Sequence, residues 1–108
     1  MKRCFQIHPT DNVATALEDI AAGEVVNVVG PSAATLSVRA DVRFGHKIAI
    51  QPIAAGVPVV KYGVPVGLAT REIAPGEWVH LHNCRSQVDQ RSSDLDLQTG
   101  SRRETAYE

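Results

Sequence analysis

His80 and His82 stand two residues apart in Trp78-Val79-His80-Leu81-His82-Asn83, inside a stretch that reads as a strand over Glu77 to His82. Side chains alternate faces along a strand, so Trp78, His80 and His82 should point one way, and Val79 and Leu81 the other. The two imidazoles would then lie about 7 Å apart along the strand, close enough to converge on a metal ion or an anionic substrate. The plain alternative is an exposed face whose histidines meet only water. Asn83, directly after, suits either a hydrogen bond to a substrate hydroxyl or a turn.

Two further groups carry polar chemistry. Gly45-His46-Lys47 opens another strand, and an imidazole beside an ammonium suits a carboxylate-bearing substrate, although a solvated turn explains the same run. In Lys61-Tyr62-Gly63-Val64-Pro65-Val66-Gly67 the glycines and the proline fix a special loop, where Lys61 and Tyr62 offer a charge and a phenol. Tyr62 can equally pack its ring with the hydroxyl at the surface. His8, before Pro9, is a secondary candidate.

These residues need elements to position them. A first strand is expected over about Arg3 to His8. Thr10 or Asp11 then suits a helix cap, and Val13, Leu17 and Ile20 recur at helical spacing, with Gly23 as a stop. The expectation is one short helix over about Asn12 to Ala22. Beyond it come short β-branched runs bounded by Gly or Pro: Val25 to Val29, Thr35 to Val38, Lys47 to Gln51, Val57 to Tyr62 and Glu77 to His82. One phrase recurs three times, as Ile20-Ala21-Ala22-Gly23, Ile53-Ala54-Ala55-Gly56 and Ile73-Ala74-Pro75-Gly76, each before an apolar strand. It reads as a repeated turn leading into a strand, and its unequal spacing argues against a solenoid.

Composition narrows the classes. The 108 residues suit one domain, and 44% hydrophobic content suits a globular core. A net charge of -1 and 5% aromatic content give no platform for nucleic acid. No apolar stretch approaches a membrane span, and the first residues lack a signal-peptide pattern, so a cytoplasmic protein is expected. Cys4 and Cys84 are too few for a disulfide scaffold and fit reduced thiols. From Cys84 onward the chain turns polar, so residues 1–84 form the expected domain and 85–108 a flexible or partner-docking tail.

Taken together, His8-Pro9-Thr10-Asp11-Asn12, Gly45-His46-Lys47-Ile48-Ala49, Lys61-Tyr62-Gly63-Val64-Pro65-Val66-Gly67 and Val79-His80-Leu81-His82-Asn83 resemble the SAF domain of the altronate/galactarate dehydratase family. The resemblance covers about residues 5 to 84. It implies a mainly β, SAF-type β-clip fold, here with the one short helix near the N-terminus. It also implies β-elimination from a hydroxy acid, in which a proton leaves the carbon beside the carboxylate and water leaves the next carbon. Such a weak carbon acid needs stabilisation of the enediolate-like charge and an acid for the departing hydroxide.

Under that resemblance the chain is expected to be the small subunit of a two-chain sugar-acid dehydratase. The expected partners are a large catalytic subunit, a small sugar-acid substrate and further copies in a homo-oligomer, with neither nucleic acid nor membrane. His46, Lys47, Lys61, Tyr62 and His80 are the candidate catalytic residues, and Asn83 and Lys61 the candidate substrate-binding ones. His80 and His82 are the candidate ligands of a divalent metal (Fe2+, Mn2+ or Mg2+) held mainly by the large subunit. The alternatives are sulfolactate as substrate, or a non-catalytic module that binds acidic sugars or a partner protein.

Overall fold

Two strands in the middle of the fold are buried on both faces, and the rest of the chain is layered around them. A computed structural model describes residues 1 to 86. Its strands are β1 (Lys2–Phe5), β2 (Val13–Ala16), β3 (Val25–Val29), β4 (Ala34–Ser37), β5 (Lys47–Ala49), β6 (Pro58–Lys61), β7 (Val64–Ala69), β8 (Trp78–Val79) and β9 (Cys84–Ser86). Six of them form one sheet in the order β4-β3-β1-β2-β5-β8, and three form another in the order β6-β7-β9. β1 runs parallel to β3 and antiparallel to β2. The mainly β expectation holds.

Alternation along β2 and β5 divides the core in two. Ala14, Ala16 and Ile48 join Cys4, Ile20, Val26, Val28, Val38 and Val42 in one cluster. Val13 and Ala49, pointing the other way, join Ile53, Val59, Ala69, Ile73, Val79 and Cys84 in a second. Alanine on both faces lets each layer approach closely. A strand with a core on each side places apolar residues on both faces instead of alternating strictly.

That double burial explains why no helix forms among the described residues. Val13 and Ile20 are buried as the helical spacing requires, but Leu17 is exposed. Asp11 and Asn12 use their side chains on distant backbone groups, from Ile7 to Gly63, and cap nothing. Val13 to Ala16 instead pair with β1 on one side and β5 on the other. Long-range pairing of β-branched Val13 and Thr15 overrides a weak local pattern. At the other end, Arg85 and Ser86 belong to β9; residues 87–108, and with them most of the expected tail, lie outside the described residues. Among the described residues no helix is long and apolar enough to cross a membrane.

The repeated turn is confirmed and has a fourth copy that the sequence hides. Ile20, Val42, Ile53 and Ile73 each form an isolated bridge, paired Ile20 with Val42 and Ile53 with Ile73. Three residues after each stands a glycine with φ between 83° and 92°: Gly23, Gly45, Gly56 and Gly76. Two residues further on a strand begins, at Val25, Lys47, Pro58 or Trp78. The same turn closes each, from the N–H of Glu24, His46, Val57 and Glu77 to the carbonyl three residues back. A positive φ at the third residue is what such turns demand of glycine. Val42-Arg43-Phe44-Gly45 lacks the isoleucine and alanines of the others, so residue identity alone does not mark it as a copy.

Two of these glycines separate conformation from contact. A Cβ on Gly76 would run into the Ser37 carbonyl oxygen, whereas one on Gly23 would meet nothing within 4 Å. Gly76→Ala should therefore lower the unfolding free energy by roughly 2–4 kcal/mol, strain and overpacking together. Gly23→Ala should cost only about 1 kcal/mol, from left-handed backbone alone. Urea titrations of both variants check this, and equal costs would contradict the role given to Ser37.

Candidate active site

His46 is held by its turn from both sides. Its N–H bonds to the Arg43 carbonyl at 3.0 Å, and its own carbonyl accepts the Ala16 N–H at 2.8 Å. β5 pairs with β8 so that Lys47 faces Val79 and Ile48 faces Trp78. Extending that register by one residue sets His46 opposite His80, with Trp78 on the diagonal. Cross-strand neighbours and diagonals are the pairs whose side chains meet on a sheet.

The rings meet accordingly. The centroids of His46 and His80 lie 5.4 Å apart and those of Trp78 and His80 5.0 Å apart, both pairs stacked. His46 and Trp78 are 5.9 Å apart. The Trp78 indole N–H donates to His46 Nδ1 at 3.2 Å. His82 leans over the same indole at 5.1 Å, tilted by 38°. Three imidazoles from two distant segments thus surround one tryptophan. The expectation that Trp78, His80 and His82 share a side is met, although the chain leaves the strand at His80 and turns. The turn carries Leu81 outward, 70% exposed, and not toward the core.

Asn83 makes that turn. Fully buried, it accepts the His80 backbone N–H at its Oδ1 (2.9 Å) and donates from Nδ2 to the Trp78 carbonyl (2.9 Å). The side chain expected to meet substrate is spent on fixing the backbone of Trp78 and His80. Lys47 also stands apart from the imidazoles. It follows His46 by one residue and shares its strand face with Ala49, on the side of the second core. There burial raises the Cys84 thiol and the Lys47 charge draws it partly back.

Lys61 and Tyr62 belong to a second group, at the tip of the β6–β7 hairpin. Lys61 pairs with Val64, leaving Tyr62 and Gly63 as a two-residue loop with φ of 58° and 76°. Positive φ at both positions marks a type I′ turn, which usually takes Asn-Gly. Lys61 Nζ sits 4.9 Å from the Tyr62 ring centroid, a cation–π contact.

The Asp11 carboxylate, which the sequence suggested only as a helix cap, holds this tip. Its Oδ1 accepts the Gly63 N–H at 2.7 Å, and its Oδ2 accepts those of His8 (3.0 Å) and Ile7 (3.3 Å). His8 is brought against Gly63, where a Cβ would lie 3.0 Å from the imidazole. Burial by itself would raise the Asp11 carboxyl; the N–H groups of His8, Gly63, Tyr62 and Ile7 outweigh it and hold it below the usual carboxylate range.

The four motifs therefore assemble as two pairs and not as one cluster. Asp11 lies before β2 and His46 binds Ala16 at its far end, so the length of that four-residue strand, about 13 Å, runs between the two anchor points. As for a metal, His80 and His82 offer two imidazoles. Among the described residues no three His, Cys, Asp or Glu side chains come together as ligands. Zinc-like sites take three or four protein ligands, so the described residues do not make a complete site.

Two measurements check these assignments. Asn83→Ala should cost about 2–3 kcal/mol in urea unfolding, because it leaves the half-buried His80 N–H and Trp78 carbonyl without their partner and removes a fully buried side chain. A neutral result would remove Asn83 as the support of His80. Asp11 titrates lower folded than unfolded, so its contribution is present above about pH 4 and fades as the pH falls through the folded value. Asp11→Asn should accordingly be less stable than the parent at pH 7, with the gap narrowing by pH 3. A constant gap would show that the charge is irrelevant.

Comparison with known proteins gives the family. Residues 2–87 match the family model described as the altronate/galactarate dehydratase SAF domain. The chain is 47% identical over 92 residues to an altronate dehydratase of Escherichia coli (strain K12), covering 85% of this chain and 17% of that protein. It is 41% identical over 97 residues to the altronate dehydratase of Bacillus subtilis (strain 168), covering 90% of this chain and 18% of that protein. The chain thus spans less than a fifth of the length of these two relatives. A (2R)-sulfolactate sulfo-lyase subunit alpha of Chromohalobacter salexigens is 32% identical over 88 residues, 77% of this chain and 94% of that protein. With the family model matched across nearly all of the described residues, the chain belongs to the altronate/galactarate dehydratase SAF-domain family.

Proposed function

We propose that this chain is the small subunit of a two-chain sugar-acid dehydratase, and that its imidazole cluster completes an active site closed by a larger polypeptide. The stacking of His46, His80 and His82 around Trp78 is the observation that carries the reading. An imidazole can take or hold a proton on either side of an elimination. A sulfo-lyase subunit of nearly the same extent as the matched region supports a separate small chain.

The reaction is the loss of water across two carbons of a hydroxy acid. A base takes the proton beside the carboxylate, the electron pair of that C–H bond becomes the new double bond, and the C–O bond of the neighbouring hydroxyl breaks. The departing oxygen takes a proton and leaves as water. His80, opposite His46 at the end of β8, is assigned to proton transfer. Lys61 and Tyr62, at the hairpin tip, are assigned to the far end of an extended sugar acid or to the larger chain. A divalent metal would draw most of its ligands from that larger chain, since two imidazoles are too few. Exposed Phe44, two residues before His46, and Leu81, between His80 and His82, are the apolar surface it would cover. The cytoplasm suits the free thiols Cys4 and Cys84.

Sulfolactate is the second substrate reading, favoured by the likeness to the sulfo-lyase subunit; sulfite then leaves in place of water. Mixing the purified chain with its larger partner should produce dehydration of an aldonate or aldarate. His46→Ala and His80→Ala should each lower the reconstituted rate by about 100-fold or more. Unchanged rates would remove the cluster from the site. Binding of acidic sugars by the isolated chain, with no elimination in any mixture, would instead identify a non-catalytic module.

A further inference from the structure

The turn position after the glycine is filled by Glu24, His46, Val57 and Glu77 in the four copies. In the first and last, the carboxylate bends back to its own turn: Glu24 Oε2 accepts the Ala21 N–H at 3.0 Å, and Glu77 Oε2 accepts the Ala74 N–H at 3.1 Å. His46 does not close its turn this way. Its ring reaches across to β8, where Nδ1 meets the Trp78 indole at 3.2 Å.

An indole N–H donates and never accepts, so its direction fixes the proton on the other ring. With Nδ1 accepting, neutral His46 carries its hydrogen on Nε2. That atom has no protein partner among the described residues. We infer that Trp78 is a positioning residue that locks His46 as a neutral hydrogen-bond donor through Nε2, aimed at an anionic oxygen of the ligand. In this state His46 has no lone pair left for a ligand. It is therefore neither the base that takes the carbon-bound proton nor a metal ligand, and those tasks fall to other groups.

Neutral imidazole as a donor is well suited to an oxyanion that gathers charge in the reaction, since no proton need be transferred. The role at an enediolate oxygen rests on the dehydratase reading; the tautomer does not. Stacking with His80 and Trp78 holds the ring in plane, and the indole N–H selects which nitrogen faces outward.

The test is a long-range proton–nitrogen NMR correlation on the full, nitrogen-15-labelled chain at pH 8. His46 should give the pattern of a single Nε2–H tautomer. Trp78→Phe keeps an aromatic ring but removes the donor, and should convert His46 to an exchanging mixture of tautomers. A His46 ring protonated on Nδ1, or an unchanged tautomer in Trp78→Phe, would overturn the inference. Should Trp78→Phe not fold, the parent spectrum alone decides. In the reconstituted enzyme Trp78→Phe should lower kcat about tenfold with KM little changed, and His46→Gln, which keeps an N–H donor, should retain more activity than His46→Ala. Equal losses in those two histidine variants would refute the donor role. Absence of dehydration with the Nε2–H tautomer present would refute the dehydratase reading and leave the Trp78–His46 lock standing.

Discussion

β2 and β5 carry a hydrophobic core on each face, and that constraint organises the rest of the chain. Val13 and Ala49 serve one core, Ala14, Ala16 and Ile48 the other, so the pair is fixed in register from both sides. A slip by one residue would exchange the two sets and send small side chains where large ones are needed. The polar motifs sit at the ends of this rigid pair, Asp11 and Asn12 before β2 and His46 before β5. Their positions are therefore inherited from packing, which is a firmer support than a loop could give.

At each end the polar residues divide into those that hold and those that are held. Asn12 binds the Pro58 carbonyl and the Val60 N–H, and Gln6 binds the Asp11 carbonyl and the Ser32 N–H. Together with Asp11 they tie the first loop to the β6–β7 hairpin and present His8, Lys61 and Tyr62. Asn83 plays the corresponding part for Trp78 and His80. Buried polar groups of this kind are costly unless every partner is supplied, and here their amides and carboxylate are engaged.

Much of this was legible in the sequence. Short β-branched runs between glycines announced a mainly β domain, and period-two spacing put Trp78, His80 and His82 together. The ordered motifs point to the family by themselves. What sequence could not give was the pairing of distant segments. The register that sets His46 opposite His80 is a tertiary fact, and so is the double burial that makes Val13 to Ala16 a strand instead of a helix. Asp11 shows the reason: a side chain that satisfies a backbone group dozens of residues away, here the Gly63 N–H, looks locally like a helix cap. The fourth turn, at Gly45, was hidden because its geometry depends on φ and hydrogen bonds more than on residue identity.

The two cores also differ in a way that chemistry can see. Cys4 lies in the first and Cys84 in the second, and neither forms a disulfide. Burial pushes the Cys4 thiol up to about 11 and raises that of Cys84, so both stay protonated and shielded while the fold is closed. Since only a thiolate reacts readily, each sulfur becomes available only when its own layer parts. The molecule thereby carries one native alkylation reporter on either side of the central strands, able to distinguish a breath that opens the β1–β3 side from one that loosens the β6–β7–β9 side.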